Sequence, residues 1–407
     1  MTFSHTALAV PLIAITYLGV AVGAYPRLRM NRATIALVGA VALIALGVMP
    51  LEVALASLDA NTLLLLFAMM IVNAHLRLAG FFQWVSAFIV TRAQSPRLLL
   101  AWIILAAGIL SALFLNDTIV LMFTPMVLEV TTTLKRNPLP YLVGLATAAN
   151  IGSTATITGN PQNMLIGMAS QISFGAFLAA LAPVALAGLA IAWLVLVAVY
   201  RDEFAAARFE TLTPAPRIYI PLLRKTLALT ALMLVAFFAG APMALAALTI
   251  AAALLVTRRI KPERIFAEVD WLLLVFFSGL FVVTGALSYL HISDALFTWA
   301  EPLARGGVAP LAFITVGLSN LISNVPAVML FRPLVPQFSD PTRVWLTLAM
   351  ASTLAGNLTL LGSVANLIVA ESAQARGVRL SFGEYLRAGV PITLLTVAAG
   401  IVWLNVL

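Results

Sequence analysis

The sequence has no cysteine, three histidines and few charges, and each shortage closes off a class of chemistry. Without cysteine there are no disulfides, thiolate metal sites or cysteine nucleophiles. His5, His75 and His291 are far apart, and none forms an H-x-x-x-H pair. Charged residues make up 9%, against about a quarter in soluble domains, while hydrophobic residues reach 62%. A soluble chain of 407 residues cannot hide that much apolar surface. The composition therefore indicates an all-α polytopic membrane protein whose first partner is the lipid bilayer. The opening MTFSH lacks the basic region of a cleavable signal peptide, so the first apolar run is expected to be a span.

A span needs about 20 mostly apolar residues. Spans are expected at 7–25, 33–54, 61–80, 139–172, 174–200, 222–239, 241–257, 269–290, 343–374 and 382–406. Segments 81–97 and 291–308 mix aromatics with charges (Trp84 and Arg92; Trp299, Glu301 and Arg305) and are expected to be interfacial helices. Counted by crossings, 20 of the 23 Lys and Arg fall on one side, leaving only Arg305, Arg332 and Arg343. The positive-inside rule makes the rich side cytoplasmic and puts both termini outside a plasma (inner) membrane. The net charge of +8 then requires no nucleic-acid partner.

The chain repeats itself. LNDTIVLMFTPMV (115–127) matches SNVPAVMLFRPLV (323–335), and ISFGAFLAALAP (172–183) matches LSFGEYLRAGVP (380–391), both at an offset of 208. Between them AANIGSTATITGNPQN (148–163) faces the shorter AGNLTLLGSVAN (355–366), pairing Asn150 with Asn357, Gly159 with Gly362 and Asn163 with Asn366. Each repeat, 1–208 and 209–407, holds five crossings, an odd number, so the second copy is expected to insert inverted. Inverted repeats with broken helices are the architecture of secondary transporters, which bind substrate between the copies.

Segment 98–134 is too long for one span and is basic at both ends. It is expected to be a re-entrant hairpin turning at Asn116-Asp117-Thr118, with two full crossings as the alternative. Segment 309–338 does the same from the outer face, turning at Ser323-Asn324-Val325-Pro326. In 139–172 the run NIGSTATITGNPQN interrupts the helix, and so does Asn357–Asn366 in 343–374. Peptide groups in such breaks must be buried in protein or line a cavity.

The candidate ligand groups follow from those four breaks. They are Asn116, Asp117 and Thr118; Asn150, Gly152, Ser153, Thr154, Thr158, Gly159, Asn160 and Asn163; Ser323 and Asn324; and Asn357, Thr359, Gly362, Ser363 and Asn366. Half-helix N-termini suit an anion, unwound carbonyls and amide oxygens suit Na⁺, and glycines allow backbone close to a ligand. Asp117, an ionisable group deep in the membrane, is a functional candidate by default, as a Na⁺ ligand or proton carrier, with capping of the following half-helix as the lesser alternative. Asn116, Asp117 and Asn324 are the candidate Na⁺ neighbourhood, and no resident cofactor is expected. Arg332 is expected to snorkel to headgroups.

At these positions the chain resembles the ion-transporter superfamily, which includes arsenite/antimonite permeases, D-type sodium/proton antiporters, divalent-anion:sodium symporters and citrate-transporter-like permeases. Asn116, Ser323 and Asn324 match the Ser-Asn-Thr hairpin signature of the symporters, whereas Leu115, Asp117 and Val325 depart from it. Asn116-Asp117 is similar to the arsenite-permease branch. Gly159-Asn160-Pro161-Gln162-Asn163 resembles the Gly-Thr-Pro-Pro-Asn loop of the symporters. The resemblance implies a mobile domain of hairpins and broken helices on a scaffold. The leading expectation is a secondary carrier of a small inorganic or organic anion, coupled to Na⁺ or H⁺. Arsenite/antimonite efflux and sodium/proton antiport are the alternatives, and a homodimer is a candidate assembly. An intramembrane protease would need a deep Ser–His pair or two deep carboxylates, so no enzyme is expected.

Overall fold

The computed structural model describes residues 2–25, 28–205, 216–257, 260–294, 298 and 306–407. These form helices throughout, apart from a two-residue ribbon pairing Ala24 with Asn31 and Tyr25 with Met30. Six helices are long and apolar enough to cross a membrane, and four shorter apolar ones accompany them. Many large apolar side chains point outward, among them Leu186, Leu194, Leu232, Val235, Leu394 and Val402. That exterior suits hydrocarbon and completes the case for a polytopic membrane protein.

The helices pack in two groups. In the first, a scaffold, Arg32–Ala45 lies on Trp271–Tyr289, and Ala60–Ala79 lies on Met243–Leu255. Thr2–Val22 and Ile220–Phe238 complete that group. The second group contains a hairpin, an interrupted helix and a long helix, in an order that occurs twice. Its first set is Pro96–Leu113 with Asn116–Thr133, then Leu139–Ser153 with Pro161–Ser170, then Phe174–Val199. The second set is Val308–Ile322 with Asn324–Phe331, then Pro341–Ala355 with Val364–Gln374, then Phe382–Val406. The sets interlock, because the two long helices pack on each other and Val364–Gln374 lies against Asn116–Thr133. Each long helix carries an internal proline, Pro183 or Pro391, and starts from a serine cap, Ser173 or Ser381.

Local chemistry sets the boundaries. Ser95 caps the first hairpin arm and Asp340 the second interrupted helix, each followed by proline at the first helical position. The expected span 33–54 is instead a helix ending at Ala45 and a short helix, Leu51–Ala56. Gly47 at φ +70° makes the turn between them and Pro50 starts the second, which explains the interruption. Within 81–97 the structure has a helix, Phe81–Arg92. Its counterpart at 291–308 lies partly outside the described residues, as does the proposed repeat boundary at 208/209.

Candidate functional site

Both hairpins turn earlier than the sequence suggests. The first reverses at Phe114–Leu115, so Asn116, Asp117 and Thr118 form the first turn of the return arm. The second reverses on Ser323 alone, a non-glycine held at φ +78°, and Asn324 begins its return arm. Backbone strain of that kind persists only where the surroundings enforce it. The backbone N–H of Asn116 donates to Gly159 O at 3.1 Å, so the first tip is docked on the break of the interrupted helix.

The breaks are shorter than expected, spanning 154–160 and 356–363. Each is closed by one asparagine making the same two bonds. Asn163 Nδ2 donates to Ser153 O and Thr156 O, both at 3.0 Å. Asn366 Nδ2 donates to Gly356 O at 2.7 Å and Thr359 O at 3.1 Å. Donor and both acceptors recur 203 residues later, whereas the hairpin tips and long helices recur at 208. The second copy therefore loses five residues between hairpin tip and break and regains five between break and long helix, with the break itself unchanged in spacing. This keeps the pairs Asn163–Asn366 and Gly159–Gly362 but corrects the other, placing Asn150 opposite Thr353 and Asn357 opposite Thr154. Connecting segments tolerate length changes that a buried, fully bonded break does not.

Asn150, 2% exposed, joins the two breaks. Its Oδ1 accepts from Asn116 Nδ2 at 3.2 Å and Ser363 Oγ at 3.0 Å. Its Nδ2 donates to Asn357 Oδ1 at 2.9 Å and Asn366 Oδ1 at 3.1 Å. Nearby, Asn160 Nδ2 and Gln162 Nε2 both donate to Thr353 Oγ1, at 3.3 and 3.2 Å.

In front of this network lies a cavity of about 340 Å³. Four helices begin on it, at Asn116, Pro161, Asn324 and Val364. Their positive dipole ends make it favourable to electron-rich oxygen, with the N–H groups of the Asn116 helix's first turn already given to Gly159 O, Asn116 Oδ1 and Leu115 O. Ser323 and Ser363 add hydroxyls, and the Oδ1 of Asn324 has no partner. The charged lining is Asp117, Asp270 and Arg32. Neither carboxylate has an ion-pair partner among the described residues.

Of the residues singled out in the sequence, the structure brings Asn116, Asp117, Ser323, Asn324 and Ser363 to the cavity. Thr118 faces a second cavity behind Asp117. Asn150, Ser153, Asn160, Asn163, Asn357, Thr359 and Asn366 do not line the first cavity, since their polar groups bond within and between the breaks. Thr154 and Thr158 are fully buried beside them. The glycines are also reassigned. A Cβ at Gly152 would lie 2.0 Å from Gly108 O, and one at Gly159 2.4 Å from Ser153 O. A Cβ at Gly362 would lie 2.9 Å from Asn320 Oδ1. Their closeness is to protein, not to a ligand.

Sequence reasoning missed Arg32, Asp270 and Asn73. Arg32 looks like one more cytoplasmic arginine, and Asp270 like an ordinary helix cap, which it also is (Leu273 N to Oδ1, 2.9 Å). Arg332 does not snorkel. It pairs with Asp59 at 3.0 Å and lies over the Phe281 ring at 5.2 Å, because the scaffold offers it a carboxylate and an aromatic face.

Comparison with known proteins agrees with this architecture. A silicon efflux transporter, LSI3 of Oryza sativa subsp. japonica, is 35% identical, with 92% of this chain and 93% of that protein covered. The putative transporter arsB of Dictyostelium discoideum is 37% identical over 42% of this chain and 31% of its own length. The crystal structure of the Alcanivorax borkumensis YdaH transporter, described as having an unusual topology, matches all of this chain and 97% of its own. The TM-score of that match is 0.58 at 14% identity, a likeness of fold. The family model described as "Citrate transporter" matches residues 17–342. This chain is a membrane transporter belonging to the citrate transporter family.

Proposed function

We propose that the protein is a secondary active transporter that exports a small oxyacid, neutral or at most singly charged, in exchange for Na⁺ or H⁺. The observation that carries this is the cavity where four helix N-termini meet beside Asp117. The N-termini favour a ligand dense in oxygen. Two carboxylates against a single arginine, Arg32, disfavour a multiply charged anion, which narrows the anion expected from the sequence. A polyhydroxylated acid satisfies both, since its hydroxyls donate to Asp117 while its oxygens accept from the helix ends. The name of the silicon efflux relative supports the same class and an outward direction.

In this mechanism the two hairpin sets insert in opposite senses and move together against the scaffold, carrying the cavity from one face to the other. The presence of Arg32 and Asp270 in the cavity lining supports an opening on the arginine-rich face, the cytoplasmic one by the charge rule. Both termini are then on the outer side.

Purified protein in liposomes tests this. Silicic, germanic and arsenous acid should move, faster under an opposing Na⁺ or H⁺ gradient, with sulfate and citrate excluded. The Asp117→Asn variant should purify normally yet lose gradient-driven flux. Oxyacid flux indifferent to both gradients, or gradient-driven transport in Asp117→Asn, would overturn it.

A further inference from the structure

Asp117 has a cavity on each side. The second, of about 200 Å³, is lined by Asn73, Thr118, Asp270, Arg77 and Glu268. Arg77 and Glu268 form an ion pair with each other. That leaves Asp117, half-buried, and Asp270, exposed, without an ion-pair partner among the described residues, and two carboxylates facing one cavity repel each other unless a cation joins them. An independent feature points the same way. Asn73 is only 3% exposed, its Nδ2 donates to Thr118 Oγ1 at 3.3 Å, and its Oδ1 has no partner. A buried amide oxygen is costly when left unpaired, and Asn73 is one of the residues lining this cavity.

We infer that this second cavity is a monovalent-cation site, with Na⁺ held by the carboxylates of Asp117 and Asp270, the Asn73 amide oxygen and the Thr118 hydroxyl. All four are hard oxygen donors, which suit an unpolarisable cation. The space admits the ion with a few waters, at about 30 Å³ each. Two of the donors stand on the hairpin arm and two on or beside scaffold helices, so the site exists only while these groups are juxtaposed as here.

The cation is therefore on the Asn73 side of Asp117, away from Asn324, and the coupling ion and the oxyacid occupy separate cavities with one carboxylate in common. Cation on one side of Asp117 weakens it as an acceptor for hydroxyls on the other, and by reciprocity the oxyacid weakens cation binding to the same degree. This coupling rests on the transport function proposed above, but the site does not.

Equilibrium binding of ²²Na⁺ to the purified protein at fixed pH, with choline holding ionic strength constant, is the test. Saturable binding of about one ion is expected in the wild type, weakened at least tenfold in both Asp270→Asn and Asn73→Ala. Asparagine remains a good helix cap, so Asp270→Asn keeps the fold. Absence of saturable binding, wild-type affinity in both variants, or displacement by Ca²⁺ in preference to Na⁺ would overturn the site. If ²²Na⁺ binds as expected while wild-type liposomes move no oxyacid, the site stands and the proposed function fails; oxyacid flux without ²²Na⁺ binding is the converse.

Discussion

Replacing Asn150 by alanine removes one side chain and strands four. Asn116 Nδ2 and Ser363 Oγ lose their acceptor, and the Oδ1 atoms of Asn357 and Asn366 lose their donor. A buried polar group left without a partner costs about 1–3 kcal/mol. Four of them give roughly 4 kcal/mol at the lower limit. For a chain of this size that corresponds to a fall in Tm of up to about 8 °C. The measurement is thermal unfolding in detergent followed by tryptophan fluorescence, with Asn405→Ala as control. Asn405 makes a single bond, Nδ2 to Ile401 O at 3.0 Å, worth about 1 kcal/mol. Asn150→Asp sharpens the test, because it keeps the shape but faces two acceptors with an acceptor. It should be worse than alanine. A loss in Asn150→Ala no larger than in Asn405→Ala, or a well-tolerated Asn150→Asp, would refute the hub.

Three further outcomes follow from the same geometry. Gly152→Ala drives a methyl into the backbone of Gly108 and should leave little monodisperse protein, whereas Gly317→Ala, with open space around it, should purify like the wild type. Asn324→Ala should lower oxyacid affinity with Tm unchanged, because its oxygen bonds nothing, whereas Asn116→Ala should lower both, because it is tied to Asn150; Tm and flux assays on each separate the two. Asp59 and Arg332 are 11% and 30% exposed and join scaffold to second hairpin, so Asp59→Ala should ease movement between them; a change in cysteine-reagent labelling at position 323 of about tenfold is expected, restored by the swapped pair Asp59→Arg/Arg332→Asp.

The parts of the fold that were legible in the sequence are those where polar residues interrupt apolar runs. Asn116, Asn324, Pro161 and Gly362 stand out because lipid tolerates such groups only where the chain breaks. Cavity lining was read correctly at the tips, where a helix begins, and too broadly in the breaks, where most amides are consumed by carbonyls of their own loop. Nothing in the sequence separates an asparagine that closes a break, such as Asn163, from one that faces a cavity, such as Asn324. Placements distant in sequence were also invisible: Arg332 pairing with Asp59, and Asp270 lining the same cavities as Asp117, each have a sufficient local explanation as snorkelling arginine or helix cap. The misplaced length difference arose because matching residue types within the break outweighed its bonding, which only coordinates reveal.

The hub at Asn150 also bears on how such a molecule can be divided. A fragment ending at residue 205 carries a membrane-buried amide that meets none of Asn357, Asn366 or Ser363. Such a fragment is covalently complete yet chemically unfinished, and in a bilayer it must find a counterpart supplying the same oxygens. The polypeptide can be cut in two on paper, but each piece is the other's solvent.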